Sequence, residues 1–282
     1  MKKFILLSLI IISLKTFAQN KALKVAYQVY AKQSKEKPVL KETFLLFINN
    51  HKSLFINQNK IISDSLFTIY FNKMKHESKN SHVINLRNTE DKKTIKKYKY
   101  KLNWIVEKDF KNNQLTLQQK AFMSRIRYTQ DLPHLAWKLQ DSVKTILGYT
   151  VKKALLHYKG RDYVAWYAPS VAVSDGPYKF WGLPGLIFEI YDVKNDYHFL
   201  ITGIEVKDNI VFPKDYFPKG SSLMPLVKTT EKNFNKDFNK TFNINNIVGN
   251  TVIIGQDRDE YAKERIKKIK ALYDNPIELN ED

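Results

Sequence analysis

The chain has 282 residues, with 47 Lys and Arg against 28 Asp and Glu, and it contains no cysteine. That excludes disulfides, thiolate metal sites and cysteine nucleophiles, so stability must come from burial and backbone hydrogen bonding. The length suffices to bury a sizeable core in one large domain or two small ones. A formal charge of +19 favours an anionic partner such as a lipid surface, a polysaccharide or nucleic acid. Only six of the cations are Arg (87, 125, 127, 161, 258 and 265). Base readout and phosphate clamping favour Arg, which argues against nucleic acid. The abundance of Lys, Asn and Ile is what compositional drift produces, and drift is the preferred account of the surplus over a dedicated anion site.

Residues 1–18 have the three parts of a signal peptide. Lys2 and Lys3 precede an apolar run from Phe4 to Leu14, and Thr16 and Ala18 fit cleavage before Gln19. The run is too short to span a bilayer permanently. The expectation is export to the periplasm or beyond, to the extracellular side or the outer membrane. Residues 19–282 would then form a single domain.

Strand patterns follow in chain order. Leu23, Val25, Tyr27 and Val29 alternate with polar neighbours. Residues 42–48 and 53–57 flank Asn49-Asn50-His51-Lys52, a hairpin signal. Ser63-Asp64-Ser65 can cap a short helix through Met74. Residues 92–101 hold six Lys. Tyr98, Tyr100, Leu102 and Trp104 fall on one face there, and Lys97, Lys99 and Lys101 on the other. This reads as a strand with a solvated, aggregation-resistant face, with an anion-binding strip as the alternative. Residues 115–119 and 122–128 read as strands after an Asn112-Asn113 turn. Short strands are expected at 137–139 and 144–146. Residues 148–158 and 162–167 flank a Gly160-Arg161 tip, and 186–191 and 198–206 flank a tip at 192–197. Helices are expected over 230–238 and 258–273, the latter amphipathic, within a helical C-terminal part at about 228–282. Hairpin-connected strands imply a mainly β, α+β fold: a curved antiparallel sheet, up to a half-barrel in extent, with a few helices packed on it.

Glycine clusters at one place. Of nine Gly in the chain, three lie between positions 176 and 185. Gly176-Pro177 and Leu183-Pro184-Gly185 read as tight turns, and Tyr178, Phe180 and Trp181 between them offer aromatic anchors. The run Gly182 to Ile187 resembles the signature of the GLPGLI family of exported bacterial proteins. Gly148-Tyr149, Lys153-Ala154, Gly160-Arg161, Ala165-Trp166-Tyr167, Asp175-Gly176-Pro177 and Lys179-Phe180 are similar to its neighbouring positions. Asn275-Pro276-Ile277-Glu278-Leu279 is similar to its ending. Val151 stands where many relatives have Cys. The resemblance implies a GLPGLI-type domain from Gram-negative bacteria, often found alongside TonB-driven outer-membrane receptors, with no established activity. It also implies a shape akin to periplasmic lipid carriers.

The motif reads either as two turns with an aromatic plug or as a recognition loop. The candidate binding residues are Arg161, Trp166, Tyr167, Asp175, Gly176, Pro177, Lys179, Phe180, Trp181, Gly182, Leu183, Pro184 and Gly185. As part of a recognition loop, Arg161 and Asp175 would be exposed; the blander alternative is that they pair with each other. No catalytic, metal-binding or cofactor motif is present. The six His are scattered, and Asp175 with Asp192 is the carboxylate pair to inspect for glycoside chemistry. The leading reading is a non-catalytic envelope protein binding an apolar ligand, lipid or peptide, in a concavity lined by Trp104, Tyr167 and Phe180. The alternatives are an interaction module of a TonB-dependent receptor system and an enzyme acting on envelope glycans or peptides.

Overall fold

In the computed structural model the described residues are 22–78, 89–121, 124–210, 212, 225–240 and 258–279. The expected leader at 1–18 and Phe122 lie outside them. One twelve-stranded sheet organises the chain. Its strands are β1 (Ala22–Ala31), β2 (Leu40–Asn49), β3 (Lys52–Asn57), β4 (Ile105–Asp109), β5 (Gln114–Ala121), β6 (Ser124–Asp131), β7 (Lys138–Ile146), β8 (Tyr149–Tyr158), β9 (Arg161–Ala168), β10 (Leu186–Asp192), β11 (Tyr197–Lys207) and β12 (Leu226–Lys228). The helices are α1 (Gln58–Ser78), α2 (Thr89–Lys97), α3 (Phe234–Lys240) and α4 (Arg258–Lys270). No described helix is long and apolar enough to cross a membrane.

The order across the sheet is β12-β6-β5-β4-β3-β2-β1-β11-β10-β9-β8-β7. Two runs of sequence-adjacent antiparallel strands, β1–β6 and β7–β11, are joined by the antiparallel pair of β1 with β11. Every pair is antiparallel except β12 with β6, which runs parallel and makes the sheet mixed. β6 is second from one edge and β7 forms the other edge, yet only residues 132–137 connect them. Such a linker reaches at most about 25 Å, whereas ten strand spacings of a flat sheet cover about 48 Å. The sheet must therefore curl until its edges approach. The ion pair of Lys159, in the β8–β9 turn, with Glu231, just after β12, closes the gap at 3.2 Å.

Alternation places one side chain in two on the concave face. Val25, Tyr27, Phe44, Phe55, Val106, Leu117, Leu156, Tyr163 and Phe199 belong there to one continuous core. Val151 is fully buried in it, so an apolar side chain serves at that position. On the convex face Leu54, Ile56 and Ile105 form a small cluster with Phe47 and with Ile61 of α1. Further along the face of Leu117 and Tyr128, Ala121, Ile126 and Phe238 form a separate cluster with Tyr261, Ile266 and Tyr273 of the C-terminal helical part.

Three expected elements change, the first being the short strands at 137–139 and 144–146, which are one continuous strand, β7, with a register shift between Leu139 and Val143. The helix expected from Ser63 begins at Gln58, because the Asn57 side chain caps it by accepting from the N–H groups of Asn59 (2.8 Å) and Lys60 (3.3 Å). Ser65 and Thr68 instead donate back to carbonyls four residues earlier, within the helix. The 92–101 strand is not formed. Residues to Lys97 are helical, and 98–104 run irregularly. The alternation was real, since Leu102 and Trp104 are buried while Lys99 and Lys101 are exposed. No neighbouring strand pairs with that backbone, and the Glu42 carboxylate takes the N–H groups of Lys101 and Leu102 instead.

The loop between β9 and β10 depends on Gly185. Its φ is 149°, and a Cβ there would lie 2.3 Å from the Ala168 carbonyl oxygen. Gly148, at φ 79°, has nothing within 4 Å of such a Cβ. Gly185→Ala is expected to cost several kcal/mol through clash as well as strain, and Gly148→Ala only about 1–2 kcal/mol for the left-handed backbone. Urea denaturation of both variants measures the difference, and equal losses would show that the close approach is unimportant.

Candidate ligand-binding site

The segment 169–185 enters the concavity and is held there by a lysine. Lys108 projects from β4 into the core and is fully buried. Its ammonium donates to the carbonyls of Gly176 (2.8 Å), Tyr178 (3.2 Å) and Phe180 (3.3 Å) and pairs with Asp175 at 2.5 Å. A buried ammonium is tolerated only when its donors are met. Burial lowers the Lys108 pKa, and the attraction of Asp175 opposes that without reversing it. Asp175 also accepts from the Gly176 N–H at 2.7 Å. Gly176 itself is required by packing, since a Cβ would lie 2.7 Å from the Ile187 side chain. Tyr178 adopts a positive φ of 53°, a conformation of about 1–3 kcal/mol for a bulky residue. The surrounding contacts hold it there.

A second buried cation fixes the C-terminus. The β8–β9 tip is Lys159-Gly160, both at positive φ, so Arg161 begins β9 and points inward. It is 4 % exposed. One guanidinium nitrogen contacts Asp192 (2.9 Å) and Asp196 (3.2 Å), and the other contacts the Asn275 side chain (2.7 Å) and the Pro276 carbonyl (2.8 Å). Tyr197 and Tyr163 donate to the carbonyls of Asn275 and Ile277. The 275–279 run is thereby stapled across the open side of the sheet.

Between that run, α3 and the sheet lies a cavity of about 230 Å³. Trp104, Leu117, Tyr128, Tyr178 and Tyr197 line it from the sheet and the loop, and Phe234, Phe238 and Ile277 from the C-terminal part. Gln33, Gln119, Asn235 and Glu278 give it polar groups. Glu278 accepts from the Tyr178 hydroxyl (2.6 Å) and pairs with buried Lys179 (2.6 Å), whose ammonium lies 5.1 Å from the centre of the Tyr128 ring. Burial pushes the Tyr128, Tyr158 and Tyr178 hydroxyls up, reinforced in each case by Glu278 nearby. They are neutral phenols at neutral pH. The Tyr158 hydroxyl is buried without a hydrogen-bond partner. For Lys179 burial lowers the pKa, but Glu278, Tyr158 and Glu231 outweigh it and the net direction is upward. For Glu231 burial raises the pKa, and Lys179 and Lys159 bring it below the ordinary value.

The expected binding residues are largely built into this support. Arg161 and Asp175 are buried rather than exposed, and they do not pair with each other: each has its own partner, because opposite charges enclosed by the fold must be neutralised locally. Tyr167, Gly176, Pro177, Lys179, Phe180, Leu183 and Gly185 are buried. Trp166 and Trp181 are half-buried, and Gly182 and Pro184 are exposed. Trp181 donates to the Pro133 carbonyl at 3.1 Å and accepts from Trp137 at 2.8 Å through its own carbonyl. Of the expected cavity residues, Trp104 lines the space, while Tyr167 and Phe180 pack in the core. Asp175 and Asp192 face Lys108 and Arg161 respectively and form no carboxylate pair with each other. Among the described residues no group of acidic and His side chains could hold a metal ion. Tyr128, Tyr197, Gln119 and Phe234 were not singled out by the sequence; strand or helix periodicity assigns a face but not a cavity.

A family model described as a protein of unknown function (Porph_ging) matches residues 157–189. The match takes in Arg161, the loop pinned by Lys108, and most of β10. No curated protein matches. Among solved structures the chain is similar to PNGF-II in a P21 crystal, with TM-score 0.50 and 15 % identity over 77 % of this chain and 33 % of that one. PNGF-II in a C2 crystal gives TM-score 0.47, 15 % identity, and 77 % and 32 % coverage. The chain thus spans about a third of the length of PNGF-II. At this identity the P21 likeness concerns the fold alone.

Lys108→Met would leave the Asp175 carboxylate buried and unpaired. A loss of about 3–5 kcal/mol is expected, with much of it recovered in Lys108→Met/Asp175→Leu. A double-mutant cycle by chemical denaturation checks this, and additive losses would show that the two are not coupled. The stability contributed by Glu231 is complete above the ordinary glutamate pKa of about 4.3 and disappears as pH falls through its depressed value. The contribution of Lys179 is complete below the ordinary lysine value and fades as pH climbs through its raised one. The stability gap between wild type and Glu231→Gln should hold steady from pH 5 to 9 and close in acid. A gap independent of pH down to the acid unfolding limit would contradict this assignment.

Proposed function

We propose that the protein is an exported, non-catalytic binding protein of the GLPGLI type that takes a small amphipathic ligand in the cavity roofed by Asn275–Glu278. The observation that carries the reading is the cavity's wall: seven aromatic side chains, among them Trp104, Tyr128, Tyr178 and Tyr197, facing a few polar groups including Gln119 and Glu278. Aromatic faces with sparse, fixed polar atoms are the make-up of a small-molecule site. The volume decides the size. An apolar cavity of about 150 Å³ accommodates benzene, so about 230 Å³ suits a single substituted ring or the end of an acyl chain. A two-chain lipid does not fit, which narrows the expected apolar ligand. Export is supported by the leader pattern before Gln19.

Asn235→Trp, on the cavity wall, tests the site without touching the buried ion pairs. A panel of single-ring acids, hydroxylated rings and short acyl chains is screened by thermal shift and by tryptophan fluorescence. A ligand present at a hundred times its Kd stabilises by about 2.7 kcal/mol, a rise of several degrees for a chain of this size. The wild type is expected to show such a rise and Asn235→Trp to lose it. A panel without a single responder, or one whose responders stabilise both proteins alike, sinks the reading.

A further inference from the structure

Next to the aromatic cavity, and sharing Gln33 and Tyr273 with it, runs a larger groove of about 1290 Å³. Its walls are the β1–β2 connection and the α2-to-β4 segment. Pro38, Val39, Leu40, Ile95, Tyr98 and Tyr100 give it an apolar lining, and Val39 is 48 % exposed. The lysines form the rim: Lys37, Lys41, Lys96, Lys99, Lys101 and Lys120 all line the groove and all are exposed. Among the described lining residues the one carboxylate, Glu42, is already engaged by the N–H groups of Lys101 and Leu102 and by the Asn57 amide. It neutralises none of the six ammonium groups. The Ser34 hydroxyl, 3 % exposed at residue level, lines the same groove without a hydrogen-bond partner. A buried hydroxyl left unpaired calls for a partner.

We infer that this groove binds an anionic single-chain amphiphile, a carboxylate or phosphate head on an acyl chain. The lysines supply the field for the head, and ammonium groups without planar forks suit a point charge. The apolar strip and the lysine stems cover the chain. A flat membrane surface would need no groove, and a polyanion without an apolar part would leave Val39, Leu40 and Ile95 without a role. The inference shares with the proposed function the premise of a binding protein, but not the cavity.

The test titrates the full chain with dodecanoate, dodecyl phosphate and uncharged monododecanoyl glycerol below their micelle concentrations, and with heparin as a polyanion. The anionic amphiphiles are expected to bind at least tenfold more tightly than the uncharged one. Lys99→Glu/Lys101→Glu should weaken them at least tenfold while Asn235→Trp leaves them unchanged. Lys96→Glu/Lys120→Glu is the second variant should the first fail to fold. A preference for the carboxylate points to free fatty acids and a preference for the phosphate to lipid head groups, and either supports the inference. Equal affinity for charged and uncharged chains overturns it, as does heparin binding more tightly than both amphiphiles. Binding that Asn235→Trp abolishes and the lysine variants spare would overturn it while upholding the cavity. Binding with the reverse sensitivity upholds the groove even if the cavity proves empty of function.

Discussion

The structure turns on an ammonium group enclosed in a hydrophobic core. Lys108 sits where alternation along β4 would place an apolar side chain, and its charge is answered by Asp175 and three backbone carbonyls from one loop. Taking two ions out of water costs several kcal/mol each, and their attraction offsets this only when the remaining donors are also met. The carbonyls of Gly176, Tyr178 and Phe180 meet them. The consequence is positional. β4 belongs to the first run of strands and the loop to the second, so the interaction ties the two halves together across the concave face, opposite the β1–β11 seam. The Tyr27 hydroxyl, donating to the Ile187 carbonyl at 2.6 Å, reinforces the tie from β1.

Arg161 repeats the arrangement at the C-terminus. It gathers Asp192, Asp196, Asn275 and Pro276 around one guanidinium, and its ring contact with Tyr197 at 5.0 Å places that tyrosine against the cavity. Lys179 then joins Glu278 to Glu231, linking the stapled run to the segment that follows β12. These three buried cations hold distant segments together, so that a curled open sheet keeps a defined interior without disulfides. They also explain the site, because the same contacts that hold the loop and the tail in place leave a small aromatic space between them.

Two groups of cations within the basic surplus behave differently. Lys108, Arg161 and Lys179 are buried and neutralised one by one, which is structural use of charge. The lysines around the groove face solvent with a single, already engaged carboxylate among the described lining residues. Exposed charges separated from opposite partners set up a local field, and such a field matters most where a concave wall of low polarity focuses it.

The sequence by itself determined the strands, most of the turns and the overall class, because these depend on neighbours in the chain. Period-two burial follows from the pleat. Asn50, Asn113 and Gly160 adopt the positive φ their residue types tolerate. The Gly and Pro cluster at 176–185 announced a constrained loop. Only the tertiary structure decided what those pieces are used for. The Lys-rich stretch kept its alternation yet found no strand to pair with, and Arg161 and Asp175, which look exposed in sequence, are enclosed. The reason is that burial of a charged side chain is fixed by which distant segment closes over it. The partners Asp192, Asn275 and Lys108 lie from 31 to 114 residues away, beyond the reach of any local pattern.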